Sequence, residues 1–481
     1  MNKYLSGVIL SIVVGSSLTG YAPVVQAEQT AIVQAPTEVS FQDEQLKKAI
    51  QKVLNKNENE VILQKDMEGL TSVNLYGKEI KSLDGLQYAS NLKYVSLNHN
   101  KIADLSPLST LTKLKGINLN HNQITSIEAL SSLTALEELQ LSGNQIDSIE
   151  VVKQLPMLRF LEVNDNKITD ISALSSAKHL EVLELSNNRI AEVDSIVKLP
   201  KLIYLNIANT KISDLSLLKP LSNNLRVLNV SGNQITDLRD LEGMTKLTAL
   251  YAENNYIKDI TPLKKMKNLS SLNLRSNLIY DLDPLRSLTM INNLYLDNNR
   301  IWNIDALKNH KFDTHYDTGA LLYGLTLKGN YLDLRSTTKS YQLLQKLAGD
   351  GHQLNQSKAQ RLVIGSTTAY VGESSYKMDT APFFHNNRTY VPVRFVAERL
   401  GAKVTWDKSK QEVMITKENT TIRWGINQKK AIVNGKAVMF DTTPLLKKQR
   451  TFVPVRFVSE LLATDVEYVP SSRSVLIFEK K

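Results

Sequence analysis

The sequence contains no cysteine in 481 residues. That excludes disulfide staples, a lipidated N-terminal cysteine and a cysteine nucleophile, so the fold must be held together by burial. Beyond the first residues no apolar run approaches the ~20 needed to cross a bilayer. Hydrolase signatures are missing as well: there is no GxSxG, no HExxH and no paired-acid pocket pattern. No LPxTG sorting motif occurs, because Leu155-Pro156 and Leu199-Pro200 continue differently, and SVLIFEKK closes the sequence as a strand. The remaining composition, 42% hydrophobic and 22% charged, is that of a folded soluble protein rather than a disordered one. Its length suits about three domains, or an elongated array plus something compact.

The first residues, MNKYLSGVILSIVVGSSLTGYAPVVQA, place Lys3 before an apolar run from Leu5 to Val14 and end in Val25-Gln26-Ala27. This is the layout of a secretory signal peptide, and cleavage after Ala27 is expected. The interruption from Gly15 to Gly20 argues against a membrane anchor,.

The middle of the chain repeats. LKYVSLNHNKIADLSPLSTLTK from Leu92 is followed by LKGINLNHNQITSIEALSSLTA from Leu114 and LEELQLSGNQIDSIEVVKQLPM from Leu136. The frame restarts at Leu158, Leu180, Leu202, Leu225, Leu247, Leu269 and Ile291, with a looser first copy at Leu70 and a last one at Leu322. Twelve copies of LxxLxLxxNxI at a period of about 22 residues form a leucine-rich repeat pattern. Alternation within each copy predicts a short strand with leucines turned inward, and adjacent strands stack at ~4.8 Å. The Asn slot holds Asn100, Asn122, Asn144, Asn166, Asn188, Asn233, Asn255, Asn277, Asn299 and Asn330. A buried carboxamide there can satisfy backbone groups that would otherwise be orphaned, so these residues are read as a structural ladder. Lys78 and Thr210 break the slot. FQDEQLKKAIQKVL, Phe41 to Leu54, has helical spacing and is expected to cap the open first coil,. SYQLLQKLAGDG, Ser340 to Gly351, is expected to cap the other end and to close at Gly349,.

The cap FQDEQLKKAIQKVL followed by GLTSVNLYGKEIKSLDGLQYASNLKYVSLNHNKI resembles the start of internalin-like bacterial leucine-rich repeat proteins, over roughly Glu38 to Gly351. The resemblance implies that the concave sheet holds another protein. No immunoglobulin-like segment follows the repeats, so a role in host invasion is not carried over.

Third, fifth and seventh positions of each copy should face the concave side. Candidate ligand-binding residues on and around that face are Tyr94, Phe160, Glu162, Asp165, Glu184, Tyr204, Tyr251, Glu253, Tyr295 and Asp297. Exposed aromatics beside carboxylates are the makings of a protein hot spot; the plain alternative is a solvated sheet face with no ligand. His99 and His121 occupy one slot in adjacent copies, with no third ligand in that slot to complete a metal site,. The step from Ile291 to Leu322 is longer than the period, and its surplus, HKFDTHYDTG, carries His310, Asp313, His315 and Asp317. This is read as a polar loop insertion, and no metal or other cofactor is expected.

From Gln360 the pattern changes. RTYVPVRFVAERLGA at Arg388 returns as RTFVPVRFVSELLAT at Arg450, and the surrounding segments align without a gap at an offset of 62 residues. Asp379, Pro382, Arg388, Pro392, Arg394 and Phe395 match Asp441, Pro444, Arg450, Pro454, Arg456 and Phe457. Each copy reads as two short strands, a turn, a strand ending in Pro, one helix and two further strands. VPVRFVAERLGAKVTWD resembles the copper amine oxidase N-terminal-like, or stalk, domain over about 120 residues, an accessory module of exported Gram-positive proteins. Oxidase chemistry does not follow from it. There is no His-x-His, and neither Asn255-Tyr256 nor Asn330-Tyr331 is followed by an acid.

Residues 359–481 hold 20 Lys and Arg against 11 Asp and Glu, which is +9 of the chain's +10. Lys3 accounts for the remainder, so residues 28–358 sum to zero. A basic tail on a neutral array suits contact with anionic cell-wall polymers; a solubilising spacer is the rival reading. Arg394 and Arg456 are expected to be structural, paired to Asp379 and Asp441.

The expected architecture is an α/β solenoid of twelve coils followed by a small α+β domain of two tandem copies. Boundaries fall at 1–27 (signal), 38–69 (helical cap), 70–334 (repeats), 335–358 (second cap and linker) and 359–481 (tail, copies near 365–418 and 427–481). The expected function is that of an exported, cell-surface-associated, non-enzymatic protein of a Gram-positive bacterium, binding a protein or glycan on the concave face. The tail would attach or space it at the envelope, with no nucleic-acid partner and no membrane span after cleavage. A purely structural envelope component and an extracellular hydrolase or inhibitor with a cryptic site are the alternatives.

Overall fold

The computed structural model describes residues 37–190, 192–313, 324–348, 359–470 and 472–479. The signal segment, Leu322, His315, Asp317 and Gly349 lie outside the described residues.

Twelve strands, β1 (Ser72–Asn74) to β12 (Leu325–Thr326), form one parallel sheet in sequence order. Each strand is only two or three residues long, because a single inward side chain between two outward ones is all that the LxL alternation provides,. Equivalent positions stand in register, as in the run Val95, Ile117, Leu139, Leu161. The return side of each coil is not an α-helix. It is a 3-10 turn of three to eight residues, the tighter winding that fits so few residues between one strand and the next. Several turns begin with an Asx motif: Asp170 Oδ1 accepts from Ser172 N at 2.7 Å and Asp214 Oδ1 from Ser216 N at 2.8 Å. Those amides hold both carboxyls below the usual carboxylate range,. The leucines, isoleucines and valines of all coils make one continuous core column from Val39 to Leu347.

The slot asparagines run beside that column. Asn188 Nδ2 donates to Val163 O at 2.9 Å, Leu185 O at 3.0 Å and Ser186 O at 3.3 Å, while its Oδ1 accepts from Ile168 N at 3.0 Å. Equivalent bonds recur from Asn100 to Asn330. One side chain therefore satisfies backbone groups of two successive coils. At Thr210 the hydroxyl donates to Ile207 O at 2.7 Å, and Asn233 of the next coil accepts from Thr210 N.

The first coil is covered by α1 (Glu44–Val53) and α2 (Gln64–Glu68). Asp43 caps α1 through Gln45 N and Leu46 N, and its other oxygen accepts from Lys81 N at 2.6 Å and Ser82 N at 3.2 Å. Burial pushes this carboxyl up, but the four amides together outweigh it and hold the group below its usual value,. At the far end α3 (Lys339–Ala348) brings Leu344 and Leu347 to the column.

The tail is built from two copies of one strand-and-helix sequence. The first runs β13 (Gln360–Val363), β14 (Thr368–Val371), β15 (Ser374–Lys377), β16 (Phe383–His385), β17 (Arg388–Pro392), α4 (Val393–Arg399), β18 (Lys403–Asp407) and β19 (Glu412–Lys417). The second runs β20 (Thr420–Gly425), β21 (Lys430–Val433), β22 (Lys436–Met439), β23 (Leu445–Lys447), β24 (Arg450–Pro454), α5 (Val455–Leu461), β25 (Thr464–Val469) and β26 (Ser474–Glu479). Three sheets result, with orders β15-β14-β13-β26-β25, β16-β17-β24-β23 and β18-β19-β20-β21-β22. Each five-stranded sheet therefore mixes strands of both copies. In the middle sheet Val391 faces Val453, with Tyr390 opposite Pro454 and Pro392 opposite Phe452, so a local two-fold axis passes between the two valines.

The exchange corrects one expected pairing. Asp379 and Asp441 do not hold the arginines of the helices. They bind the strand arginines crosswise, Arg450 with Asp379 at 2.8 Å and Arg388 with Asp441. Arg394 and Arg456 instead turn to the acids one helical turn on, Glu398 and Glu460. The two-fold axis brings each hairpin beside the other copy's aspartate, whereas Arg394 and Arg456 project from α4 and α5 toward their own helix surface.

Tail and solenoid touch. Arg300 reaches Asp465 at 2.6 Å and Glu467 at 2.7 Å, and Lys258 also reaches Glu467. Tyr331, Ala359, Val469, Leu476 and Phe478 make a small apolar core against Tyr280 and Trp302. The half-buried guanidinium of Arg361 lies 3.9 Å from the Tyr370 ring and 5.2 Å from the Trp302 ring, and its partial burial lowers its proton affinity,. Glu373 accepts from the first amides of α3, Lys339 N and Ser340 N, both at 2.8 Å. Gly372 has φ +59°, and a Cβ there would lie 2.5 Å from Asp333 Oδ2, so this approach requires glycine,.

Candidate functional site: the concave sheet face

The outward residues of the short strands form a continuous face, and its chemistry changes along the array. At the start Asn118 Nδ2 donates to Gln140 Oε1 at 2.6 Å, an amide pair across neighbouring strands. Tyr94 is 47% exposed, and its ring lies over Gly116, where a Cβ would come within 2.8 Å. Tyr94 is three strands from Phe160 and Glu162 and is not brought together with them.

In the centre Glu162 and Glu184 stand side by side in register. Glu162 Oε1 accepts from Ser142 Oγ at 2.8 Å and Asn120 Nδ2 at 3.3 Å. Glu184 Oε2 accepts from Asn206 Nδ2 at 2.8 Å and Asn164 Nδ2 at 3.0 Å. Neither carboxylate has a cationic partner among the described residues. Half-burial and the nearby charge of Glu184 raise the Tyr204 phenol far above its usual value, so it keeps its proton,. Phe160 flanks Glu162 on the same strand, and exposed Asp165 accepts from Asn187 Nδ2 at 2.8 Å.

Further along, Tyr251 and Glu253 share one coil, and Glu253 is held by Asn273 Nδ2 at 2.6 Å, again an amide rather than a cation. Near the end the pattern reverses. Arg275 Nε donates to Asp297 Oδ2 at 2.7 Å, and its guanidinium lies 4.5 Å from the Tyr295 ring centre. Tyr295 and Asp297 are therefore already occupied by Arg275, while Glu162, Glu184 and Glu253 remain uncompensated. Sequence reasoning named the acids but missed the residues that orient them: Ser142, Asn120, Asn164 and Asn206. Their positions in the fifth and seventh slots were legible, but their direction was not.

The histidine rings of His99 and His121 stack at 4.4 Å. His310 is buried against Phe312, with no ring nitrogen making a hydrogen bond of good geometry, and burial lowers its proton affinity. Among the described residues no three His, Asp or Glu side chains are grouped to hold a metal, and no helix is long and apolar enough to cross a membrane.

Residues 356–477 match the family model of the copper amine oxidase N-terminal domain, and six matches between residues 90 and 265, the first five overlapping, fit that of leucine-rich repeats in pairs. The array is made of leucine-rich repeats, and the tail is a copper amine oxidase N-terminal domain. Among solved structures the chain is similar to the internalin inlF of Listeria monocytogenes, with 29% identity over 66% of this chain and 91% of that one, at a TM-score of 0.58. The internalin inlC2 of the same organism is 27% identical over 55% of this chain and 98% of its own, at a TM-score of 0.35. The functional domain of InlJ, also from Listeria monocytogenes and including a cysteine ladder, is 15% identical over 81% and 97%, at 0.47. No curated protein sequence matches the chain. The repeat array is internalin-like in fold, a fold typical of non-enzymatic protein-binding proteins.

Proposed function

We propose that this chain is an exported, cell-surface-associated binding protein, without enzymatic activity, that recognises a protein partner on its concave face. The observation that carries the reading is the central belt of Glu162, Glu184 and Glu253, held in place by amides and hydroxyls and flanked by Phe160, Tyr204 and Tyr251. Carboxylates that are oriented but not neutralised are prepared for a guanidinium or ammonium from outside, and the aromatic faces beside them supply apolar contact. A basic protein surface fits both features. The tail, carrying +9, is the element that attaches the solenoid to anionic envelope polymers, and its junction with the last coils keeps the array in a set orientation.

The test is a full-length variant combining Glu162→Gln, Glu184→Gln, Tyr251→Ala and Tyr295→Ala. Its folding is verified by far-UV circular dichroism and an unchanged melting temperature. Immobilised unchanged protein should retain a distinct species from a surface-protein extract, with release by raised salt, and the variant should not. Equal retention by both sinks the concave-face reading and favours a purely structural role.

A further inference from the structure

The two copies of the tail place two sets of equivalent residues at two grooves, and the linings differ. Each groove lies between the helix and following strand of one copy and the hairpin of the other. The first is lined by Arg394, Trp406, Lys408, Gln411, Leu446 and Arg450, among others, and encloses about 480 Å³. At the offset of 62 residues the second would be lined by Arg456, Tyr468, Pro470, Arg473, Phe384 and Arg388. There Phe384 and Tyr468 meet edge to face at 5.7 Å. Glu467, the counterpart of Thr405 in the first groove, is taken by Arg300 and Lys258 of the solenoid. Aromatic contact and the inter-domain junction thus engage residues of the second groove, whereas in the first Leu446 stands in place of the phenylalanine and Lys408 in place of the proline.

The first groove has a consistent chemistry. Its lining contains three cations and no carboxylate. Arg450 shares its charge with Asp379, and Arg394 stands 3.7 Å from Glu398. Lys408, exposed on the β18–β19 turn, makes no ion pair among the described residues. Trp406 is half-buried, packing one side on the core of the tail. Val404, Val413, Pro392 and Leu446 add apolar wall, and Gln411 and Gln449 add amides. An indole beside apolar wall takes the flat face of a sugar ring, while guanidinium and ammonium groups bind acidic substituents on it. A bare polyanion would make no use of the indole, and a neutral glycan none of the cations.

We propose that this groove is a binding site for an anionic polysaccharide, with a sugar ring on Trp406 and its acidic group between Arg394 and Lys408. The proposal deepens the envelope-attachment reading of the tail and rests on it. The exposed Lys410 and Lys448 lie on the turns that border the groove, and they extend the positive surface along the path of a longer chain.

The test uses the full chain with three probes: alginate oligosaccharides, uncharged dextran oligosaccharides of similar length, and polyphosphate. Calorimetry should show alginate binding that falls at least tenfold with Trp406→Ala and with Lys408→Glu. Tyr468→Ala, in the second groove, should change it less than twofold. Dextran should not bind. Polyphosphate binding as tight as alginate and indifferent to Trp406→Ala would overturn the site. In parallel, the same proteins are sedimented with isolated Gram-positive cell walls. Wall binding that is unchanged in both groove variants removes the groove and leaves attachment standing. Alginate binding through the groove without wall binding removes attachment and leaves the groove. Loss of both in the unchanged protein removes both.

Discussion

The solenoid and the tail are both products of repetition, yet they bury their cores in different ways. In the solenoid each copy stacks on the last, all strands run parallel, and a coil packs its core against its neighbours,. In the tail the two copies trade strands, so β13 pairs with β26 and β19 with β20. Translation can be extended one coil at a time and leaves open ends that need caps, here α1, α3 and the tail itself. Two-fold exchange closes on itself and allows no third copy. It also brings β26 back beside β13, next to the last coil, which is how Tyr331 comes to donate to Glu479 O at 2.8 Å.

The largest effect should come where the exchange is densest. Trp424 of β20 is fully buried, stacks on Phe457 of α5 at 4.6 Å, and donates from Nε1 to Gln428 O at 2.7 Å. Trp424→Ala removes a large side chain from a core shared by both copies, at a cost of about 3–5 kcal/mol. The loss should be global within the tail. Amides of β13–β15 should gain exchange rate together with those of β20–β22, although Trp424 belongs to only one of these groups. Protection lost in one sheet alone would show that the halves are independent.

The same contrast decides what could be read without a structure. Twelve appearances of the LxxLxL frame, ten of them with Asn in the slot, made the coil, the inward leucines and the Asn ladder legible, because stacking preserves sequence order. The tail copies were equally visible as an alignment, but alignment places Arg394 near Asp379 of its own copy. Which aspartate meets which arginine depends on the exchange, and nothing within one copy distinguishes the two arrangements. The junction is less legible still: Arg300 and Glu467 are 167 residues apart and belong to no repeated pattern. On the concave face the positions of Glu162 and Glu184 followed from the frame. That Asp297 is neutralised by Arg275 and the central acids are not followed from side-chain direction alone.

Separating the two regions should cost less than breaking the tail. The Arg300 side chain is 13% exposed and joins Asp465 and Glu467. Arg300→Ala leaves those carboxylates in a partly desolvated cleft beside Tyr280 and Tyr331, with Lys258 alone to balance them. Docking should weaken by about 3 kcal/mol, the lower end of the range for breaking a buried pair. Solenoid and tail should then melt in two resolved transitions, and small-angle scattering should show a larger radius of gyration. A single unshifted transition would mean that the apolar contacts of Trp302, Tyr331 and Phe478 suffice.

The smallest effect should be found inside the array, and it should also be the most local. Asn188→Ala orphans the buried Ile168 amide and Leu185 carbonyl and leaves the Val163 carbonyl to Asn166 Nδ2 alone, at 3.2 Å. Several such groups are lost at once but can relax toward water at the coil edge, so about 2 kcal/mol is expected. Asn188→Thr should recover part of this, since Thr210 natively holds the Ile207 carbonyl with its hydroxyl. In a stack of nearest-neighbour contacts the damage should stay near the coils that begin at Leu158 and Leu180. Hydrogen exchange should therefore rise around Val163, Ile168 and Leu185 and remain unchanged near Leu75 and Leu296. Uniform loss of protection along all twelve strands would mean that the column melts as one unit, as the tail is expected to do, and that the difference between stacking and exchange lies in geometry without extending to cooperativity.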